Sequence, residues 1–390
     1  MIRSTVAHVD LAALQRNFHA IQEFLRGNHE SQTANHKSPG VIAVVKANAY
    51  GHGAQRVALA LEQAGAPMLA CADIEEGIVL RQAGVRVPIL VFGALSVSDL
   101  DGLFEFALTP TISTPGAATS VQTAAAKHKT TIGYHLKIDT GMNRLGFRHD
   151  NLRRTLPGLL STENLHLDGV FTHFASADVP ESPTFDDQRL RYDAALAVVE
   201  ELLNPEPAPR HRFLRHTCNS AALLRDSRCW YDVVRPGLLL YGIVPPPLAT
   251  TIPLVPVMSL TSRVVAVKGL RPGEGVGYGW KFQADTPRSI AVVPAGYADG
   301  LDTRLCGRGH VLIRGQRVPI VGAVSMDMIT VDVSGLNVEP GDEVVLLGRQ
   351  GAESWQQIDA REMAASIGTI PWEVVCRLGT RVERQYISEG

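Results

Sequence analysis

The stretch V41-I-A-V-V-K-A-N-A-Y-G-H-G53 begins with five apolar residues and turns polar at Lys46. A short apolar run that ends in turn residues reads as a strand buried on both faces. The same device recurs along the chain. Further apolar runs cover residues 68–71, 89–92, 108–112, 132–138, 167–171, 213–218 and 233–234. Helical patterns lie between most of them, at 55–64, 74–83, 97–106, 117–127 and 185–203. Buried strands alternating with helices make a parallel sheet covered on both sides. Eight such strands fit an α/β fold of the (β/α)8, TIM-type barrel. Upstream, Asp10 caps a helix expected to run to Leu25, with Leu11, Leu14, Phe18, Ile21 and Leu25 on one face. Residues 27–40 and 204–212 read as surface loops.

The rhythm changes after Pro245-Pro246-Pro247. Short strands follow at 264–267, 290–293, 311–313, 318–321, 329–333 and 344–347, split by Gly and Pro turns, with one helix at 358–367. The chain therefore divides into a barrel over 1–245 and a mostly β domain over 250–390.

Composition narrows the class of function. The 390 residues carry a formal net charge of -2 and no long Lys/Arg run, which argues against nucleic acid or an anionic membrane as partner. Cys71, Cys218, Cys229, Cys306 and Cys376 are scattered and lack the paired spacing of a zinc site, so reduced thiols and no metal are expected. No signal-like segment and no membrane-length apolar stretch stands out, so a cytoplasmic enzyme or binding protein is expected.

Active groups in a parallel barrel sit at the C-terminal ends of the strands. Lys46 ends the first run. A poorly hydrated lysine loses its proton more easily and can form a Schiff base, although a lysine at a barrel rim can also simply snorkel to water. Other strand ends carry Lys137, Asp139 and Arg144, then His173, then Asn219 and Ser220, then Arg235. The last two ends follow the seventh and eighth strands, where barrels often hold phosphate. Ser220 and the free N–H groups of Gly237 and Leu238 suit that role.

Together these motifs resemble the alanine racemases, which are fold-type III enzymes that use pyridoxal 5'-phosphate. The resemblance runs from A43-V-V-K-A-N-A-Y-G-H-G53 through V276-G-Y-G279, P294-A-G-Y-A-D-G300 and G322-A-V-S-M-D-M328. It implies that Lys46 holds the cofactor covalently and acts as acid–base group on one face of the substrate. Tyr50, Ser220, Gly237 and Leu238 would bind the phosphate, with His173 and Asn219 also at the cofactor. Arg144 would meet the cofactor's phenolic oxygen and the substrate carboxylate, steadied by a carbamylated Lys137. Arg235 would face the pyridine nitrogen, in a chain with His173 behind the tyrosine named next. Tyr278 of a partner subunit would be the second acid–base group, on the opposite face. Met326 would bind the substrate carboxylate through its N–H, while Tyr297 and Asp327 would line the entry.

The implied activity is interconversion of L- and D-alanine by a homodimer with shared sites. A racemase of broader specificity, a decarboxylase of the same fold type and a non-catalytic carrier of the cofactor are the alternatives. Two departures from the family pattern stand out. Ser325 stands where cysteine is frequent, and Thr380 where some members carry a tyrosine.

Overall fold

The computed structural model describes residues 4–30, 38–95, 99–204, 212–351 and 355–387. Its first strand is β1 (Val6–Asp10). Eight parallel strands follow: β2 (Gly40–Val44), β3 (Met68–Cys71), β4 (Ile89–Val91), β5 (Thr109–Ile112), β6 (Ile132–Asp139), β7 (Leu165–Phe171), β8 (Leu214–His216) and β9 (Val233–Val234). Each matches an expected apolar run. They pair in the order β9-β2-β3-β4-β5-β6-β7-β8, a nearly closed barrel. Two backbone bonds span the remaining seam, Asp232 N–H to Arg215 O at 3.1 Å and Arg235 N–H to Cys218 O at 2.9 Å.

Burial on two faces explains why these strands read as continuous apolar runs. Ile42, Val44, Ala70, Leu90 and Val233 form one buried cluster. Their neighbours Val41, Ala43, Val45, Leu69, Cys71, Ile89 and Val91 belong to the larger core that includes the helices. Successive side chains in a strand point to opposite faces, so both sets must be apolar.

Helices cover the barrel at Ala54–Gln63, Ile74–Gln82, Asp101–Glu105, Pro115–Lys127 and Thr184–Leu203. Of the helix expected over 97–106, residues 97 and 98 lie outside the described residues. Asp10 caps the first helix, Leu11–Glu30, by accepting the Ala13 N–H at 2.8 Å. That helix runs five residues beyond Leu25, into the segment expected to be a loop. Residues 31–37 of that segment, and 205–211 of the second expected loop, lie outside the described residues.

The second domain is built on a ten-stranded, largely antiparallel sheet. It contains the strands Met258–Arg263, Ala266–Leu270, Arg288–Val293, His310–Ile313, Gln316–Val321, Ile329–Asp332, Glu343–Gln350 and Glu383–Ile387. The expected helix is found at Ala360–Ile367, and a short helix, Pro371–Cys376, comes directly after it. β1 does not join the barrel. It lies between Met258–Arg263 and Glu383–Ile387, antiparallel to the first and parallel to the second. From β1 in the second sheet the chain crosses to the barrel through Leu11–Glu30.

Asn17 ties this crossing to the linker. Its amide donates to Leu240 O at 3.0 Å and Val255 O at 2.8 Å, and its oxygen accepts the Val255 N–H at 2.8 Å. The side chain is fully buried. Replacing it by Leu orphans three backbone groups, and each buried orphan costs about 1–3 kcal/mol. Asn17→Leu should therefore lower the melting temperature by several degrees. An unchanged thermal transition would show that the linker is held by other means.

Candidate active site

β2 ends at Val44, and the residues from Lys46 to Tyr50 do not form an ordinary helix. Ala47 (φ 53, ψ 53), Asn48 (φ 52, ψ 46) and Ala49 (φ 54, ψ 52) are all left-handed, and Tyr50 has φ 50. Each non-glycine residue in this region costs roughly 1–2 kcal/mol, so the turn survives only where its surroundings over-determine it. Glu76 Oε1 accepts the Ala47 N–H at 2.6 Å and the Asn48 N–H at 3.4 Å. Asn48 Oδ1 accepts the Ala54 N–H at 2.8 Å, and Arg384 Nε donates to Gly51 O at 2.8 Å. The turn places Lys46 and Tyr50 on one cavity.

That cavity lies at the C-terminal ends of the barrel strands and measures about 1860 Å³ with its open mouth. Ten expected residues line it: Lys46, Tyr50, Lys137, Arg144, His173, Asn219, Ser220, Arg235, Gly237 and Leu238. Among the described residues, four of the lining side chains are Lys or Arg and one, Asp178, is a carboxylate. Burial lowers the pKa of Lys46, and the Arg144 charge adds to the effect. Burial and the charges of Arg144 and Arg235 push Lys137 down to about 8.

At one end of the cavity, Tyr50 packs against Gly237, where a Cβ would stand 2.4 Å from the phenol oxygen. Any side chain there would push the Tyr50 ring out of its place. The Gly237 N–H, expected to be free, instead donates to Ser220 Oγ at 3.0 Å, and the Leu239 N–H donates to the same oxygen at 3.3 Å. Accepting both leaves the Ser220 proton to act as a donor. Asn219 uses its oxygen to cap Ser220–Arg225 through the Ala222 N–H, at 2.9 Å. Among the described residues the Tyr50 and Ser220 hydroxyls and the Leu238 N–H are thus the donors left to form a cradle suited to a phosphate, while the Gly237 and Leu239 N–H groups are taken.

Arg235 crosses the floor of the site. It donates to Thr172 O at 2.8 Å and to Thr217 O at 2.9 Å, and its Nη1 meets His216 Nδ1 at 2.8 Å. Among the described residues it makes no direct hydrogen bond to His173, but after burial its charge is the largest influence lowering the His173 pKa. The partner is His216, whose ring nitrogen offers a lone pair inside the barrel where an unpaired guanidinium would be costly. The contact fixes the tautomers. His216 accepts at Nδ1, so its Nε2–H donates to His135 Nδ1 at 2.8 Å. Burial keeps both rings neutral, pushing His135 down to about 3 and His216 well below the usual range. Phe171 stacks on His216 at 4.8 Å and lies beneath the Arg235 guanidinium at 5.1 Å. His135 and His216 fall inside apolar runs, where each reads as a lone core histidine, so nothing local in the sequence marks them as a pair.

Arg144 is presented by a turn built on Asp139. Asp139 Oδ1 accepts the N–H groups of Gly141 and Asn143, both at 3.0 Å.

The remaining four expected residues lie on the second domain and outside this cavity. Tyr278 is 77% exposed, Met326 52% and Tyr297 46%, and Asp327 is also exposed. The last three sit on adjoining turns. Tyr297 N–H donates to Ser325 O at 3.0 Å, and Ala298 N–H to Met326 O at 3.1 Å. Ser325 closes its own turn, accepting the Met328 N–H at 3.1 Å and donating to Met328 O at 2.8 Å. Arg381, which the sequence presents only as part of a charged run, clamps both turns. It reaches Asp299 at 2.8 and 2.9 Å, Asp327 at 2.7 Å and Met326 O at 3.0 Å.

The depressed Lys137 has a measurable consequence. Between about 8 and its ordinary 10.5, the unfolded state binds more protons at this lysine than the folded state. Its contribution to stability therefore rises with pH across that window and is unfavourable below it. In buffer purged of carbon dioxide, Lys137→Met should raise the melting temperature at neutral pH and flatten its pH dependence between 8 and 10.5. An unaltered slope would mean that Lys137 titrates normally.

Residues 9–245 match the alanine racemase N-terminal domain, and residues 257–386 match the alanine racemase C-terminal domain. An alanine racemase of Halothermothrix orenii is 38% identical over 386 residues, spanning 98% of this chain and 97% of its own. The crystal structure of alanine racemase from D-cycloserine-producing Streptomyces lavendulae superposes with a TM-score of 0.91 at 32% identity, covering 100% of this chain and 98% of that one. The Bartonella henselae alanine racemase, solved with covalently bound pyridoxal phosphate, superposes with a TM-score of 0.84 at 27% identity, covering 98% of this chain and 99% of that one. With both domains matched along nearly its whole length, the chain belongs to the alanine racemase family.

Proposed function

We propose that this chain is a homodimeric, cytoplasmic enzyme that interconverts L- and D-alanine with pyridoxal 5'-phosphate. The observation that carries the reading is the cavity itself. Two lysines, two arginines and a donor cradle surround it, with a single lining carboxylate among the described residues. Such a set fits a phosphorylated cofactor and a substrate carboxylate, both anionic. When bound, the cofactor lends an electron-withdrawing ring that makes the substrate Cα proton removable.

Lys46 would hold the cofactor's aldehyde carbon. Its lowered pKa suits an amine that must be neutral to attack and must later accept a proton. Tyr50 and Ser220 would anchor the phosphate, and Arg144 the substrate carboxylate. Lys137, depressed toward 8, has neutral amine available to take up carbon dioxide. The carbamate formed would place a negative charge beside Arg144. Arg235 is a donor only, so it would leave the pyridine nitrogen unprotonated. This weakens the ring as an electron sink and disfavours side reactions such as transamination.

Racemisation needs a proton carrier on each face of Cα. Lys46 serves one face. Tyr278 is the proposed carrier for the other, and it lies on an exposed turn away from its own chain's cavity. A second copy of the chain would bring it over the site, together with Met326 and Tyr297. This arrangement argues against a simple carrier of the cofactor, which has no need of a second proton carrier.

Purified protein given D-alanine and pyridoxal 5'-phosphate should drive the mixture toward equal enantiomers and leave serine, lysine and arginine largely unconverted. Unchanged chirality would overturn the reading, and equal turnover of the larger amino acids would shift it to a broad-specificity racemase. Arg235→Glu should increase pyruvate formation from alanine relative to racemisation. An unchanged ratio would remove Arg235 from control of the side reaction.

A further inference from the structure

We propose that Glu76 is the positioning residue for Lys46 and Tyr50, holding the left-handed turn that sets the spacing between them. The inference rests on reading Lys46 as the cofactor lysine. The Ala47 and Asn48 N–H groups open the turn, and Glu76 Oε1 receives both of them. Glu76 Oε2 accepts the Ala72 N–H at 2.8 Å. One carboxylate therefore joins the chain beyond β2 to the chain beyond β3.

Glu76 is itself fixed. It stands in the first turn of Ile74–Gln82, and its own N–H donates to Asp73 Oδ1 at 2.8 Å. Other side-chain braces act further along the turn, where Asn48 Oδ1 accepts the Ala54 N–H, His52 Nδ1 meets Ala49 O at 3.0 Å and Tyr50 O at 2.9 Å, and Arg384 holds Gly51 O. Among the described residues Glu76 is the side chain that braces the turn beside Lys46, where the backbone adds one bond, Ala49 N–H to Val45 O at 2.8 Å. Its negative charge also favours the protonated lysine, opposing Arg144 and Arg235. The carboxylate form matters, because it accepts on both oxygens. A glutamine in its place has one acceptor and one NH2 group, so it can serve the Ala47 side or the Ala72 side, but not both.

The test compares full-length wild type with Glu76→Gln, using Glu75→Gln as an exposed neighbouring control. Borohydride reduction followed by peptide mass mapping reads whether the cofactor is attached at Lys46. Titration of the apo-protein with pyridoxal 5'-phosphate gives its Kd. Attachment in wild type, with a Kd raised roughly tenfold in Glu76→Gln and unchanged in Glu75→Gln, is the expected result. An unchanged Kd in Glu76→Gln overturns the inference while leaving the proposed function intact. Failure of wild type to attach the cofactor at Lys46 instead overturns the proposed function. Should Glu76→Gln not fold, amide exchange in wild type decides the matter. The Ala47 and Asn48 amides are expected to be protected as well as those of β2, and fast exchange at both would rule out the strut.

Discussion

Charge imbalance at the barrel mouth is the constraint on which the rest of the structure turns. Lys46, Lys137, Arg144 and Arg235 share one cavity where Asp178 is the lining carboxylate among the described residues, with Glu76 and Asp139 acting on the two lysines from outside the lining. Like charges gathered in a poorly hydrated site repel one another, and each loses favourable hydration. Neutral protonation states, carbamate formation and anionic ligands are the ways out, and each of them fits the proposed chemistry. The surrounding scaffold keeps the cations from separating. Arg235 is locked by two carbonyls and His216, and Lys46 is held at the mouth of a strained turn.

Much of the barrel was legible because two-sided burial leaves a strong signal. The strands Gly40–Val44, Met68–Cys71 and Ile89–Val91 are apolar on both faces, and most barrel strands stop close to a polar residue that lines the cavity. β1 was not legible as part of the second sheet. Its five residues pair with strands at 258–263 and 383–387, and such long-range pairing has no local trace. The same distance hides the helix-to-linker tie made by Asn17.

The site divides in a similar way. Residues that carry chemistry by type, such as Lys46, Arg144 and Arg235, stand out at strand ends. Residues that act by holding others do not. Glu76 reads as one of two adjacent acids at a helix start, and Arg381 as one more cation in a charged run. The left-handed turn is the least legible feature of all. Lys-Ala-Asn-Ala-Tyr contains no glycine to announce positive φ. What holds the conformation comes from far along the chain: Glu76 captures the first two N–H groups, and Arg384 holds Gly51 O. The Arg235–His216–His135 chain was hidden for a related reason, since histidines buried in separate strands are not visibly neighbours in sequence.

The central claim is that each site is completed by two chains, one giving Lys46 and the other Tyr278. It is tested most directly by mixing inactive Lys46→Ala and Tyr278→Phe proteins under conditions of proven subunit exchange, and then measuring alanine racemisation. The account predicts that activity returns, because each mixed dimer carries one site with both groups intact. A mixture that exchanges subunits and stays inactive would contradict it.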